Sequence, residues 1–318
     1  MTVTIRNYCG DDLEAIAELI NAADAVDQVD EGTRVTELRE RFEEPGYRPH
    51  ENVFVAEDHA GRIAGSACLE LRPSAEQSIF WATTTVHPEW REKGIERLLL
   101  ERLWKHAKER RRDLHSKQVY FHTYCAAHQA RLIALFERLG LRVMRYSPHM
   151  IYQPLEKLAR PEFPRAIEVR PYLRGQDDKS ALVAFNEAFA DKRGFVPETL
   201  EKWVHWFNSS AFREELSTAA LDGEEVVGLC LCTVDEERTK RLRRKDGYVD
   251  TLFVRPAYRR QGLGTALLLA GLHTLKAAGM ESATLDTDSD NPAHAMRLYE
   301  RVGFRELWRW VTYRKQLP

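Results

Sequence analysis

The sequence predicts a mixed α/β chain built from two consecutive and related domains, and three observations carry that prediction. A length of 318 residues with 43% hydrophobic content is enough to fill two cores. Strand-like and helix-like apolar patterns follow one another in the same order in both halves, which is the order of a sheet covered by helices. Short strings also recur at a separation of roughly 165 residues, the mark of an internal duplication. WREKGIE at 90–96 returns as YRRQGLG at 258–264, each after a hydrophobic run and a proline and each leading into a leucine-rich segment.

The elements pair off along the chain. TIRNY (4–8) matches EVRPY (168–172), a short strand before an acidic stretch that starts a helix. VFVAEDHAGRIAGSACLEL (53–71) matches STAALDGEEVVGLCLCTV (217–234), two strands around a glycine turn. GYVDTLFV (247–254) is the strand before the YRRQGLG turn, and LGTALLLAGLHTLKAAG (263–279) is a helix apolar around much of its circumference, hence largely buried. SATLDT (282–287) is the next strand, after which Pro292 opens a helix that Gly303 closes. That closure, LYERVGF (298–304), repeats LFERLGL (135–141). QPLEKLARPEFPRAIEV (153–169) carries three prolines and reads as the connection. The expected division is a first domain at 1–156, a linker at 157–166 and a second domain at 167–318, each a mixed, mostly antiparallel twisted sheet with helices on both faces.

Charge and composition narrow the function. Lys plus Arg number 47 against 49 Asp plus Glu, a net charge of -2, so no global field favours nucleic acid or membrane and neither is expected as a partner. The N-terminal stretch MTVTIRNYCGDDLEAI has no signal-like apolar core and no apolar run reaches the roughly 20 residues of a membrane helix, so a cytoplasmic place is expected. Five cysteines without a C-x-x-C pair argue against disulfides and zinc, and His115, His122 and His128 share no ligand spacing, so no metal is expected. RTKRLRRK (238–245) reads as a solvated basic hairpin loop or an attractor of acidic groups, with no aromatic residues interleaved to stack on bases. Cys230 and Cys232 share one strand face and read as core residues.

The turn YRRQGLGTALL aims backbone amides from a helix N-terminus at an anion, and Gly262 and Gly264 remove the side chains that would hold a phosphate away. Neither a third glycine for a dinucleotide fingerprint nor a Gly-Lys-Ser/Thr for a nucleotide P-loop is present. The full string VRPAYRRQGLGTALL, followed by NPAHAMRLYERVGF, closely resembles the GNAT superfamily of N-acetyltransferases. The likeness covers 168–316 well and 3–153 in degraded form. Among tandem members, TDSDNPAHAMRLYERVGF is most similar to the mycothiol synthases. The resemblance implies two tandem GNAT-like domains and acetyl-CoA as co-substrate. It assigns the pyrophosphate to the turn Arg259, Arg260, Gln261, Gly262, Leu263, Gly264 and Thr265, the pantetheine arm to Leu252, Phe253 and Val254, and a further CoA contact to Asn291. It also implies transfer of acetyl to the amine of a small molecule by the second domain, without metal.

Amide formation from a thioester needs a neutral amine and a proton for the departing thiolate. Tyr299 stands where the family places a general acid, and Asp286 and Asp250 are the carboxylates near the strand that would hold the cofactor. In the first half Glu96 replaces Gly264, Phe136 replaces Tyr299, His128 replaces Asn291 and Thr123 replaces Asp286, while Val86, Pro88, Leu98, Leu99 and Gly140 keep the scaffold. A carboxylate beside a pyrophosphate repels it and phenylalanine has no proton to give. The first copy is therefore expected to keep the fold without the reaction, as the internal pseudo-dimer partner within a monomer. The competing expectation is a non-catalytic acyl-CoA sensor or interaction protein, against which Tyr299, Asp286 and Asp250 argue.

Overall fold

The computed structural model describes residues 3–30, 32–164, 166–192, 195–208, 212–288 and 295–318. The first half runs β1 (Thr4–Asn7), α1 (Leu13–Asp27), α2 (Val35–Phe42), α3 (Pro49–Asn52), β2 (Val53–Glu57), β3 (Ile63–Arg72), β4 (Gln77–Val86), α4 (Ile95–Arg111), β5 (Gln118–Ala126), α5 (Ala130–Arg138) and β6 (Arg142–Tyr152). The second runs β7 (Glu168–Pro171), α6 (Asp178–Phe189), α7 (Leu200–Phe207), β8 (Thr218–Asp222), β9 (Glu225–Thr233), α8 (Glu236–Leu242), β10 (Asp246–Val254), α9 (Leu263–Ala277), β11 (Ser282–Asp286), α10 (Ala295–Val302) and β12 (Arg305–Gln316). The repeated order expected from the strings is present. It is anchored identically at both starts: Arg6 grips Asp12 with two bonds of 2.7 and 2.8 Å, and Arg170 grips Asp177 with two of the same lengths.

By compactness the chain divides into one unit of 1–146 with 310–318 and another of 147–309. This differs from a cut at 157–166 because the strands ending each half change unit along their length. In the first unit the strand order is β1-β2-β3-β4-β5 and then residues 310–316 of β12, antiparallel to β5. In the second it is residues 149–152 of β6, antiparallel to β11, then β11-β10-β9-β8-β7. Each sheet is mixed, with one parallel pair, β4 with β5 and β10 with β11.

Strand alternation sends residues to two cores in each unit. In the first unit, Phe54 and Phe80 pack with Leu99 and Leu103 of α4, while Val53 and Val55 pack with Ile16 of α1 and Phe42 of α2. In the second, Cys230 and Val249 pack with Leu267, Leu268 and Leu272 of α9, while Leu229 and Phe253 pack with Trp203 and Phe207 of α7. Helix α9 lies so close to β9 that a Cβ on Gly271 would stand 2.6 Å from Cys230 Sγ and 2.9 Å from Cys232 Sγ. The two cysteines are core residues, as expected. Among the described residues no helix is long and apolar enough to cross a membrane, and no group of histidines, cysteines and carboxylates could hold a metal ion.

Candidate active site

The site begins where two strands of the second unit part. β10 pairs with β11 only from Asp246–Tyr248 against Ser282–Thr284, whereas on its other edge it stays paired with β9 as far as Val254 opposite Gly228. The closed end is pinned by the buried Asp246 carboxylate. It accepts from Ser282 Oγ at 2.5 Å and Thr284 Oγ1 at 2.9 Å, and ion-pairs with Arg238 at 2.9 Å and Arg244 at 3.2 Å. The run RTKRLRRK is therefore not the solvated loop its charge suggested. Residues 236–242 are helical and two of its arginines serve this carboxylate.

Beyond Tyr248 the β9–β10 register shifts between Val249 and Thr251, a β-bulge at Asp250. Val249 and Leu252, three apart, both pack on the α9 side, so the bulge resets the alternation and gives Asp250 an irregular place at the mouth of the gap. Solvent reaches the Asp250 carboxylate, yet the protein packed around it pushes its carboxyl up to about 6, with the Thr251 Oγ1 bond of 3.1 Å pulling part of the way back. Asp286, at the end of β11, accepts from Tyr248 OH at 2.8 Å and from His149 Nδ1 at 3.0 Å, and the His149 ring stacks on Trp308 at 4.7 Å. Burial, then the charges of Asp286 and Asp250, raise the Tyr248 phenol well above its ordinary value. Asp286 thus bonds Tyr248, and Asp250, two residues along β10, acts on the same phenol by its charge.

Tyr299 is 7% exposed in the α9-side core, its ring 5.9 Å from Phe304. Burial, with a smaller contribution from Cys230, raises its phenol, which keeps the proton in place at neutral pH. At the turn, Gly262 has φ 86° with nothing within 4 Å of where a Cβ would stand, so its glycine answers a conformational need. Gly264 answers a packing need, because a Cβ there would lie 3.2 Å from Leu298 Cδ1. The first bond of α9 runs from Ala266 N–H to the Gly262 carbonyl, so the amides of Leu263, Gly264 and Thr265 precede the ladder and face outward along the axis. Arg259 fastens this turn, bonding the carbonyls of Val254 (3.1 Å) and Ala188 (2.6 Å) and the Asp191 carboxylate (3.1 Å), and Gln261 bonds the Ala257 carbonyl at 3.2 Å. Arg260 takes a left-handed φ of 62° beside them. Leu252 and Val254 face the α9 core and Phe253 the α7 core. Asn291 lies outside the described residues.

A model of the acetyltransferase (GNAT) family matches residues 14–141 and again 180–304. The chain belongs to the GNAT acetyltransferase family. It is 29% identical over 309 residues to a mycothiol acetyltransferase of Thermobifida fusca, covering 92% of this chain and 90% of that one. It is 33% identical over 276 residues to a mycothiol acetyltransferase of Streptomyces scabiei, covering 84% and 78%. Among solved structures, a GCN5-related N-acetyltransferase from Sphaerobacter thermophilus superimposes with a TM-score of 0.75 at 25% identity, covering 99% of this chain and 96% of that one. A tandem GNAT protein from the clavulanic acid biosynthesis pathway gives 0.70 at 17% identity over 99% of both, a likeness of fold. As a GNAT enzyme the chain is an acetyl-CoA-dependent N-acetyltransferase.

The first GNAT unit has changed the corresponding places. Gly94 keeps a left-handed φ of 79°, but Arg91 is gripped by Asp27 with bonds of 2.9 and 2.7 Å, and the buried Glu96 ion-pairs with Arg131. These four charges line a cavity of about 70 Å³. Glu96 is therefore not the bare repelling charge expected from the string. Its carboxylate is neutralised internally by Arg131, and Arg91 is held by Asp27 much as Arg259 is held by Asp191 in the second unit. β4 also pairs with β3 without a register break from Gly65–Val86 to Arg72–Ile79, so no bulge stands where Asp250 does.

Sequence reasoning missed Tyr248, His149 and Trp308. Tyr248 carried a usable signal, two residues before Asp250 on one strand. His149 carried none, because it precedes the second repeat and reaches Asp286 only through the pairing of β6 with β11.

Proposed function

We propose that the chain acetylates a primary amine of a small molecule and that the second unit performs the chemistry. The observation that carries this reading is that Asp250 lies on β10 and Asp286 on β11 just beyond the point where the two strands part, with Asp286 bonded to the Tyr248 hydroxyl. Asp250, with its carboxyl near 6, takes the proton of the incoming amine, since a base near the working pH is both ionised and receptive. Asp286, held by Tyr248 and His149, fixes the amine and the field around it. The amine nitrogen forms its bond to the acetyl carbon as the carbon–sulfur bond breaks, and Tyr299 gives its phenolic proton to the leaving sulfur. Acetyl-CoA supplies the activated acyl group; the amides of Leu263, Gly264 and Thr265 hold its pyrophosphate and the free edge of Leu252–Val254 its arm.

The names of the relatives make mycothiol-related amines the first acceptors to test. A panel of amines is incubated with acetyl-CoA and free thiol is read. Turnover on one of them, lost on Asp250→Asn, supports the reading, and binding of acetyl-CoA without turnover on any amine leaves the sensor reading in its place.

A further inference from the structure

The first unit holds a second cavity, of about 250 Å³, between α2 with its following turn and the sheet face formed by β3, β4 and β5. It falls at the counterpart of the carboxylate centre. Trp81 is the last residue of β4 paired with β5, as Tyr248 is the last of β10 paired with β11, and Trp81 is one of its walls. The sign of the charge is reversed. Where the second unit has Asp250 and Asp286, this cavity has Arg41, Arg72 and Arg145, against Glu44 and Glu70.

We propose that this cavity binds a small organic anion, a carboxylate or a phosphate monoester, through Arg41 with Arg145 beside it. The Arg41 guanidinium lines the cavity, and no hydrogen bond or ion pair reaches it among the described residues. Glu70 bonds Arg72 at 3.0 Å and reaches Arg41 only through its charge, without a hydrogen bond. The guanidinium groups of Arg72 and Arg145 lie 5.5 and 5.9 Å from the Trp81 ring, which holds their planes at the wall rather than in solvent. The field is positive enough to act on a neighbour: His122, 1% exposed and edge-on to Trp81 at 5.0 Å, is pushed down to about 3 by burial and then by Arg145, Arg314 and Arg72. Tyr47 and Thr83 add hydroxyls to the lining, and burial keeps the Cys68 thiol protonated, so these three groups are neutral and the anions of the lining are Glu44 and Glu70. A planar guanidinium without a partner takes a carboxylate or phosphate by paired N–H bonds. The volume falls below the roughly 300–1,000 Å³ of drug-sized sites, which limits the ligand to a small molecule.

This inference stands apart from the catalytic reading of the second unit. Calorimetry with benzoate, glycerol 3-phosphate and uncharged benzamide tests it on the full chain, with Arg41→Gln and Gly262→Val as variants. One site for benzoate or glycerol 3-phosphate, weakened at least tenfold by Arg41→Gln, unchanged by Gly262→Val and absent for benzamide, is the expected result, and whichever probe binds names the anion. Because Arg41 has no partner to lose, the variant keeps its melting temperature. Absence of binding by both anions, equal affinity in Arg41→Gln, or loss that follows Gly262→Val overturns the proposal.

Discussion

Replacing Asp250 by Asn should abolish most activity and yet stabilise the protein, with a pH dependence that identifies the cause. In the folded state the Asp250 carboxyl titrates near 6 instead of its ordinary 3.8 because burial disfavours the charge. A raised acid is an advantage to folding below 3.8, and the advantage is lost as pH climbs through 6, so above 6 the ionised carboxylate is a net cost. At about 1.36 kcal/mol per pH unit the displacement corresponds to about 3 kcal/mol. Solvent reaches the carboxylate and screens much of this, leaving about 1 kcal/mol. Asparagine keeps the shape and still accepts from Thr251, but carries no charge at any pH. Thermal unfolding of both proteins from pH 4 to 8 should show the asparagine protein melting roughly 2–4 °C higher at pH 7.5, a gap that narrows steadily below pH 6. A gap independent of pH, or a less stable variant at pH 7.5, would refute the reasoning.

Tyr299→Phe should lower kcat by roughly ten- to a thousandfold with KM for acetyl-CoA nearly unchanged, as expected when a proton donor acting in the transition state is lost; steady-state kinetics decide it, and unaltered kcat removes the phenol from the mechanism. For the wild-type enzyme, log(kcat/KM) should rise with pH and level off above about 6 as Asp250 ionises, and a flat profile across that range assigns the base elsewhere. Gly271→Ala should cost about 1–3 kcal/mol of stability because its Cβ meets Cys230 Sγ at 2.6 Å, and denaturant unfolding should show the loss reduced in the Gly271→Ala, Cys230→Ala double variant.

How much was legible in the sequence follows from what each feature depends on. The duplicated strands, the glycine turn and the helix it starts are local in cause: alternation, a left-handed φ at Gly262 and an apolar helix are written in consecutive residues. Asp250, Asp286 and Tyr299 became candidates through the family resemblance, Tyr299 four residues before Gly303, Asp286 five before Asn291 and Asp250 on the strand that leads into the turn. The bulge at Asp250 depends on the register of β9 against β10, and His149 depends on β6 leaving the first half to pair with β11, so neither leaves a local trace. Charge in a string also says little about where it goes. RTKRLRRK read as a loop for solvent, but Arg238 and Arg244 end on a buried carboxylate, and Glu96 read as a repelling group, but is paired with Arg131.

The claim that one unit of the pair handles acetyl-CoA is tested most directly by calorimetric titration of acetyl-CoA into the wild type, Gly262→Val and Gly94→Val. The two glycines form a matched pair, at φ 86° and 79° with no atom within 4 Å of either added Cβ, so valine imposes the same backbone strain at each turn. One molecule bound per chain, lost in Gly262→Val and retained in Gly94→Val, is the predicted result. Two molecules bound with similar affinity, or binding that survives Gly262→Val and disappears in Gly94→Val, would contradict it.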